Sequence, residues 1–171
     1  MKKTFMLTLV LMFGICAMGI TTASAGGDCC PKGPGTGSPG YWKNHPDAWP
    51  PGFSITFDEC PYEPLRLERD DIIEIMDGPV AGNKWITLFK AYVAASLNVE
   101  IGNCRPCCYW DGNSCGINLD SAYGWLNDNC GTRVRANSDE WQYSHGEAQY
   151  FCLDDYNNGY LPMAISRDDL E

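Results

Sequence analysis

Cysteine is the residue type with the widest chemistry in this chain. Ten occur, at positions 16, 29, 30, 60, 104, 107, 108, 115, 130 and 152. Cys104-Arg105-Pro106-Cys107 has the C-x-x-C spacing of thiol oxidoreductases, where a helix N-terminus lowers the first thiol's pKa until its thiolate attacks. That chemistry needs a helix starting at the motif within a βαβ unit, and Cys108-Tyr109-Trp110-Asp111-Gly112 reads as a loop. Cys104, Cys107, Cys108, Cys115 and Cys130 have enough thiolates for a tetrahedral zinc site. Disulfides compete with both readings and are the expectation for a small exported chain.

Oxygen ligands suggest calcium at two places. Asp111, Asn113 and Gly116 fall on positions 1, 3 and 6 of an EF-hand loop, but Cys115 and Ala122 occupy positions 5 and 12. Asp154 and Asp155, followed by Asn157 and Asn158, have suitable atoms, although a helix end explains them equally. No cofactor is demanded; calcium on Asp111, Asn113, Asp154 and Asp155 is the one left open. His45 and His145 are the only imidazoles, and no G-x-S-x-G elbow is present. The chain therefore reads as non-catalytic, with a small extracellular enzyme or a calcium- or zinc-dependent protein as the alternative.

The segments that carry these residues begin with a leader. Met1-Lys2-Lys3 is a basic start, Phe5 to Ile20 is apolar, and Ala23-Ser24-Ala25 fits a cleavage site, so residues 1–25 read as a secretory signal peptide. Export to the periplasm or outside the cell follows. Cys16 leaves with the leader, and nine cysteines remain as disulfide candidates: Cys29, Cys30, Cys60, Cys104, Cys107, Cys108, Cys115, Cys130 and Cys152. Nine is odd, which leaves one sulfur for a free thiol or a second chain, and Cys29 with Cys30 is the expected link of a homo-oligomer. Losing Lys2 and Lys3 takes the formal charge of −10 to −12. That charge repels nucleic acid and anionic membranes, and no later segment is apolar enough to insert in a membrane.

Residues 26–40, rich in Gly and Pro, read as a flexible arm, and residues 41–171 as one domain. Prolines keep the next stretch irregular, apart from a short strand at Ser54 to Phe57. Arg69 to Met76 reads as a helix stopped by Gly78-Pro79. Lys84 to Leu97 is the clearest helix, with Trp85, Leu88, Phe89, Tyr92 and Val93 on one stripe and Asn83 as N-cap. Asp120 to Asn127 reads as another. The last starts at Ser144, whose S-x-x-E spacing with Glu147 is that of a capping box, and ends at Asn157-Asn158-Gly159; Ser138 begins a separate turn. The expected class is mainly α: a small, single, disulfide-rich helical domain with long irregular loops.

Gly40-Tyr41-Trp42-Lys43-Asn44-His45-Pro46-Asp47-Ala48-Trp49-Pro50 resembles the opening of a module found in secreted and surface proteins of bacteria. Ala94-Ala95-Ser96-Leu97-Asn98-Val99, Ala122-Tyr123-Gly124-Trp125-Leu126 and Leu153-Asp154-Asp155-Tyr156-Asn157-Asn158-Gly159 continue the resemblance in order. It implies export and a compact module without an assigned catalytic activity. The Cys104 to Cys115 insert departs from that pattern. The expected function is a binding or structural module that meets a protein or carbohydrate surface through Tyr41, Trp42, His45, Trp49 and Tyr156. The competing use of Trp42, His45 and Trp49 is to staple the N-terminal segment to the core.

Overall fold

The computed structural model describes residues 33–109, 115–162 and 164. Residues 1–25, expected as a signal peptide, the first part of the arm, Cys29, Cys30, Asp111 and Asn113 lie outside the described residues, as does Cys16. The described chain starts with α1 (Pro39–Asn44) and a 3-10 turn at Pro46–Ala48, then a hairpin of β1 (Ser54–Phe57) and β2 (Leu65–Glu68). Next come α2 (Arg69–Asp77), α3 (Lys84–Glu100), and a small hairpin of β3 (Cys108–Tyr109) and β4 (Cys115–Ile117). α4 (Leu119–Asp128), α5 (Asp139–Gln142) and α6 (Gly146–Asn157) follow. Both hairpins are antiparallel, and neither grows into a larger sheet among the described residues.

The longest helix, α3, is the centre of the molecule. Asn83 caps it as its sequence position predicts, its Oδ1 accepting the Trp85 backbone N–H at 3.1 Å. The same oxygen accepts the Val134 N–H at 3.2 Å, which ties a distant loop to the helix start. Trp85, Leu88, Phe89, Val93, Ala94 and Leu97 are all buried, because α1, α2, α4 and α6 pack around it. A helix so enclosed is apolar on most sides. Phe57 of β1 packs on Trp85 at 5.6 Å between ring centroids and on Tyr123 at 5.7 Å, and Trp85 stacks on Phe89 at 5.0 Å. The five described tryptophans are all core residues, from Trp42 at 0% exposed to Trp85 at 7%.

Three features depart from the sequence expectation, and packing between distant segments accounts for them. The second half of the arm is packed: Thr36 is 1% exposed, and the helix begins at Pro39 with Ser38 Oγ accepting the Tyr41 N–H at 3.2 Å. Backbone groups of this Gly/Pro segment find buried partners that composition cannot reveal. Next, β1 has a partner. β2 presents only Leu67 to the core, which is too weak a pattern to announce a strand. Finally, α6 starts at Gly146, and its N-cap is His145 at φ 63°, without a side-chain cap bond. A Cβ on Gly146 would lie 2.8 Å from both Trp125 Cε2 and Trp141 Cε3, so close packing there sets the helix start and overrides the capping-box spacing.

Disulfides fasten the loops to this frame. Cys60–Cys130 joins the connection after β1 to the end of α4, Cys108–Cys152 joins β3 to α6, and Cys107–Cys115 closes the second hairpin. Their Cα separations are 4.9, 5.9 and 5.3 Å, within the range a disulfide spans. Cys104 is also disulfide-bonded. The C-x-x-C pair is therefore split, because Cys107 bonds Cys115. None of the described helices is long and apolar enough to cross a membrane.

Candidate functional site

Asn98, near the end of α3, is fully buried. Its Oδ1 accepts the Gly37 N–H at 2.7 Å and the Trp42 indole N–H at 2.9 Å. Its Nδ2 donates to the Gly37 carbonyl at 3.0 Å and to Asn157 Oδ1 at 2.9 Å. These four bonds saturate the amide. Asn157 Nδ2 donates in turn to the Ala91 carbonyl at 2.9 Å. One residue layer away, Asn103 Nδ2 donates to the Gly35 carbonyl at 2.8 Å, while its Oδ1 accepts the Gly35 N–H at 3.1 Å. Gly37 permits the junction: a Cβ there would stand 2.5 Å from Tyr41 Cδ1 and 2.9 Å from Trp42 Nε1.

Three of the four resembling blocks meet at Asn98, through Trp42, Asn98 itself and Asn157. Of the expected binding residues, Trp42, Trp49 and Tyr156 are buried. Trp49 Nε1 donates to the Trp42 carbonyl at 2.9 Å, and the Tyr156 hydroxyl donates to the Cys104 carbonyl. Burial pushes the Tyr156 phenol well above its ordinary pKa. Tyr41 and His45 alone among the five reach the surface, with rings stacked at 4.2 Å and His45 Nδ1 2.8 Å from the Tyr41 carbonyl. Asn98 stands in one of the resembling blocks without a role read from sequence, and Asn103 lies outside all four. The available signal was an amide on the buried stripe of an apolar helix, in register with Ala91 and Ala94.

Asp154 and Asp155 sit in the last turns of α6. Burial first, and then the Asp155 charge, raises the Asp154 carboxyl above the usual carboxylate range. Among the described residues, no group of three or more His, Cys, Asp or Glu side chains gathers as metal ligands would. The sulfurs of the zinc reading are taken up in disulfides.

A polar concavity lies where α4 faces α5 and the start of α6. It has a volume of about 450 Å³, with Ser121, Gly124, Trp125, Asp128, Asn129, Glu140, Ser144 and Gln149 around it. Trp125 is its rigid wall: the indole N–H donates to the Glu140 carbonyl at 2.9 Å, and the ring meets Trp141 edge-on at 5.8 Å. Ser121 Oγ lies 2.9 Å from Gln149 Oε1, which ties α4 to α6 across the groove. The backbone N–H of Glu140 holds its carboxyl below the usual range, so it carries charge at neutral pH. A second groove, of about 310 Å³, runs between β1, α3 and α4 past the Arg105–Asp120 ion pair. Its Tyr123 hydroxyl is committed to the Thr56 carbonyl at 2.8 Å. No protein-family model, curated protein or solved structure matches the chain.

Proposed function

We propose that the chain is an exported, disulfide-stabilised binding or structural module that acts at or outside the cell envelope. The observation that carries this reading is the use made of its most distinctive residues. Trp42, Asn98 and Asn157 hold a buried junction, while three disulfides fasten the loops, so the motif blocks build a rigid scaffold. Disulfides at this density fit an oxidising compartment. The leader-like first 25 residues and the resemblance to surface modules support the same placement. Intact mass of the exported protein, before and after reduction, is the test. The expected species begins at Gly26 and gains two protons for each bridge on reduction; a species that keeps Met1 or has no bridges overturns the reading.

Assembly through the N-terminal cysteines is the second reading, and one observation favours it. Cys104 is disulfide-bonded, yet the other six described cysteines pair among themselves. Loss of Cys16 with the leader leaves nine cysteines, an odd number, so one sulfur remains for a second chain, and Cys29 with Cys30 is the proposed link. A covalent dimer on a non-reducing gel that disappears in a Cys29→Ser, Cys30→Ser variant supports this reading. A monomer in both sinks it.

A further inference from the structure

Gly124 stands in the middle of α4, where glycine costs the helix about 1 kcal/mol relative to alanine. Two other glycines have structural reasons to lack a side chain. Gly37 makes room for Trp42, and Gly146 for Trp125 and Trp141. At Gly124 the backbone is not left-handed, and among the described residues no side chain or other segment comes within 4 Å of where a Cβ would stand. The fold itself thus gives no reason for glycine there. The bare backbone faces the groove between α4, α5 and α6, beside the fixed edge of Trp125.

We propose that this groove is a binding site for a saccharide without acidic groups, with one sugar ring lying on the Gly124 ledge. The inference rests on the binding-module reading and names its ligand class. A pyranose has an apolar C–H face for the glycine ledge, and a rim of hydroxyls that both donate and accept. Asp128, Asn129, Glu140 and Ser144 offer that rim acceptors and donors around a space of about 450 Å³, within the usual size of small-molecule sites, while Ser121 and Gln149 are bonded to each other and brace its floor. Asp128 and Glu140 are the charged groups lining it, and no Lys or Arg joins them. With a formal charge of −10 on the whole chain, sugar acids are repelled.

The test is a two-dimensional amide NMR titration of the exported, oxidised protein with cellotriose, chitotriose and, as the acidic comparison, triglucuronic acid. The expected result is saturable shifts of the Gly124 and Trp125 signals with a neutral trisaccharide and none with the acid. Gly124→Ala is expected to fold with equal or higher thermal stability and to bind at least about tenfold more weakly. Glu140→Gln, at a solvent-facing position, weakens binding without lowering stability. The proposal is overturned if neither neutral trisaccharide shifts those signals, if Gly124→Ala binds as tightly as the parent, or if triglucuronic acid binds equally well. These failures leave the exported-module reading standing, because intact mass decides that separately.

Discussion

The junction around Asn98 and the groove beside Gly124 are both places where polar side chains from distant segments meet. At the junction each amide hydrogen and oxygen of Asn98 has a protein partner, and glycine is required because Trp42 fills the space. In the groove the exposed Asp128, Glu140 and Ser144 line open volume, and a side chain at Gly124 would meet no other segment. The same residue types thus do two jobs. Where buried polar groups saturate one another they specify a single geometry, and where they face solvent they remain available to a ligand.

The sharpest way to break this contrast is Asn98→Leu. It strands the Gly37 N–H and carbonyl, the Trp42 indole and the Asn157 amide, and is expected to cost on the order of 5 kcal/mol, comparable to the whole stability of a small domain. An unchanged urea midpoint would show that the junction does not hold the fold. Replacing Cys60 and Cys130 together by serine releases a loop with a sequence separation of 70, for a loss of about 4 kcal/mol by the same denaturation measurement. Gly146→Ala drives a methyl into Trp125 and Trp141 and should cost roughly 1–3 kcal/mol, whereas Gly124→Ala should gain up to about 1 kcal/mol. Equal behaviour of the two glycines would erase the distinction.

The smallest effect concerns pH. Asp154 has its folded-state pKa raised, so the folded protein binds that proton more tightly than the unfolded chain. The resulting penalty is present above the folded pKa and is relieved as pH falls through it towards the ordinary aspartate value. Asp154→Asn should therefore raise the thermal midpoint at neutral pH, with the gain fading in acid. A gain that is flat with pH would remove burial of the charge as its cause.

Much of the helical frame was legible because periodic apolar residues and local caps act over a few neighbours. Arg69–Asp77, Lys84–Glu100 and Leu119–Asp128 lie where the pattern put them, and Asn83 caps as expected. The strand at Ser54–Phe57 was legible and its partner was not, since Leu65–Glu68 turns only Leu67 inward. The start of α6 depended on Gly146 meeting two tryptophans from other segments, which no local spacing encodes. The opening block was readable as either a binding face or a staple. Its tryptophans are buried in the scaffold, a fact fixed by Asn98 more than fifty residues away. The groove was hidden for the same reason, because α4, α5 and α6 bring its lining together only after folding.

Cys107 and Cys108 are neighbours that belong to different disulfides, with sequence separations of 8 and 44. During synthesis Cys115 appears soon after this pair, while Cys152 appears only near the end of the chain. Whichever neighbour captures Cys115 first settles a partnership before the other candidate exists. A wrong choice is reversible, because the adjacent thiolate can attack the new bond and exchange places. Recovery of the properly bridged protein should therefore depend on a shuffling catalyst in the compartment where oxidation occurs. Oxidising power alone would fix early mistakes as readily as correct pairs.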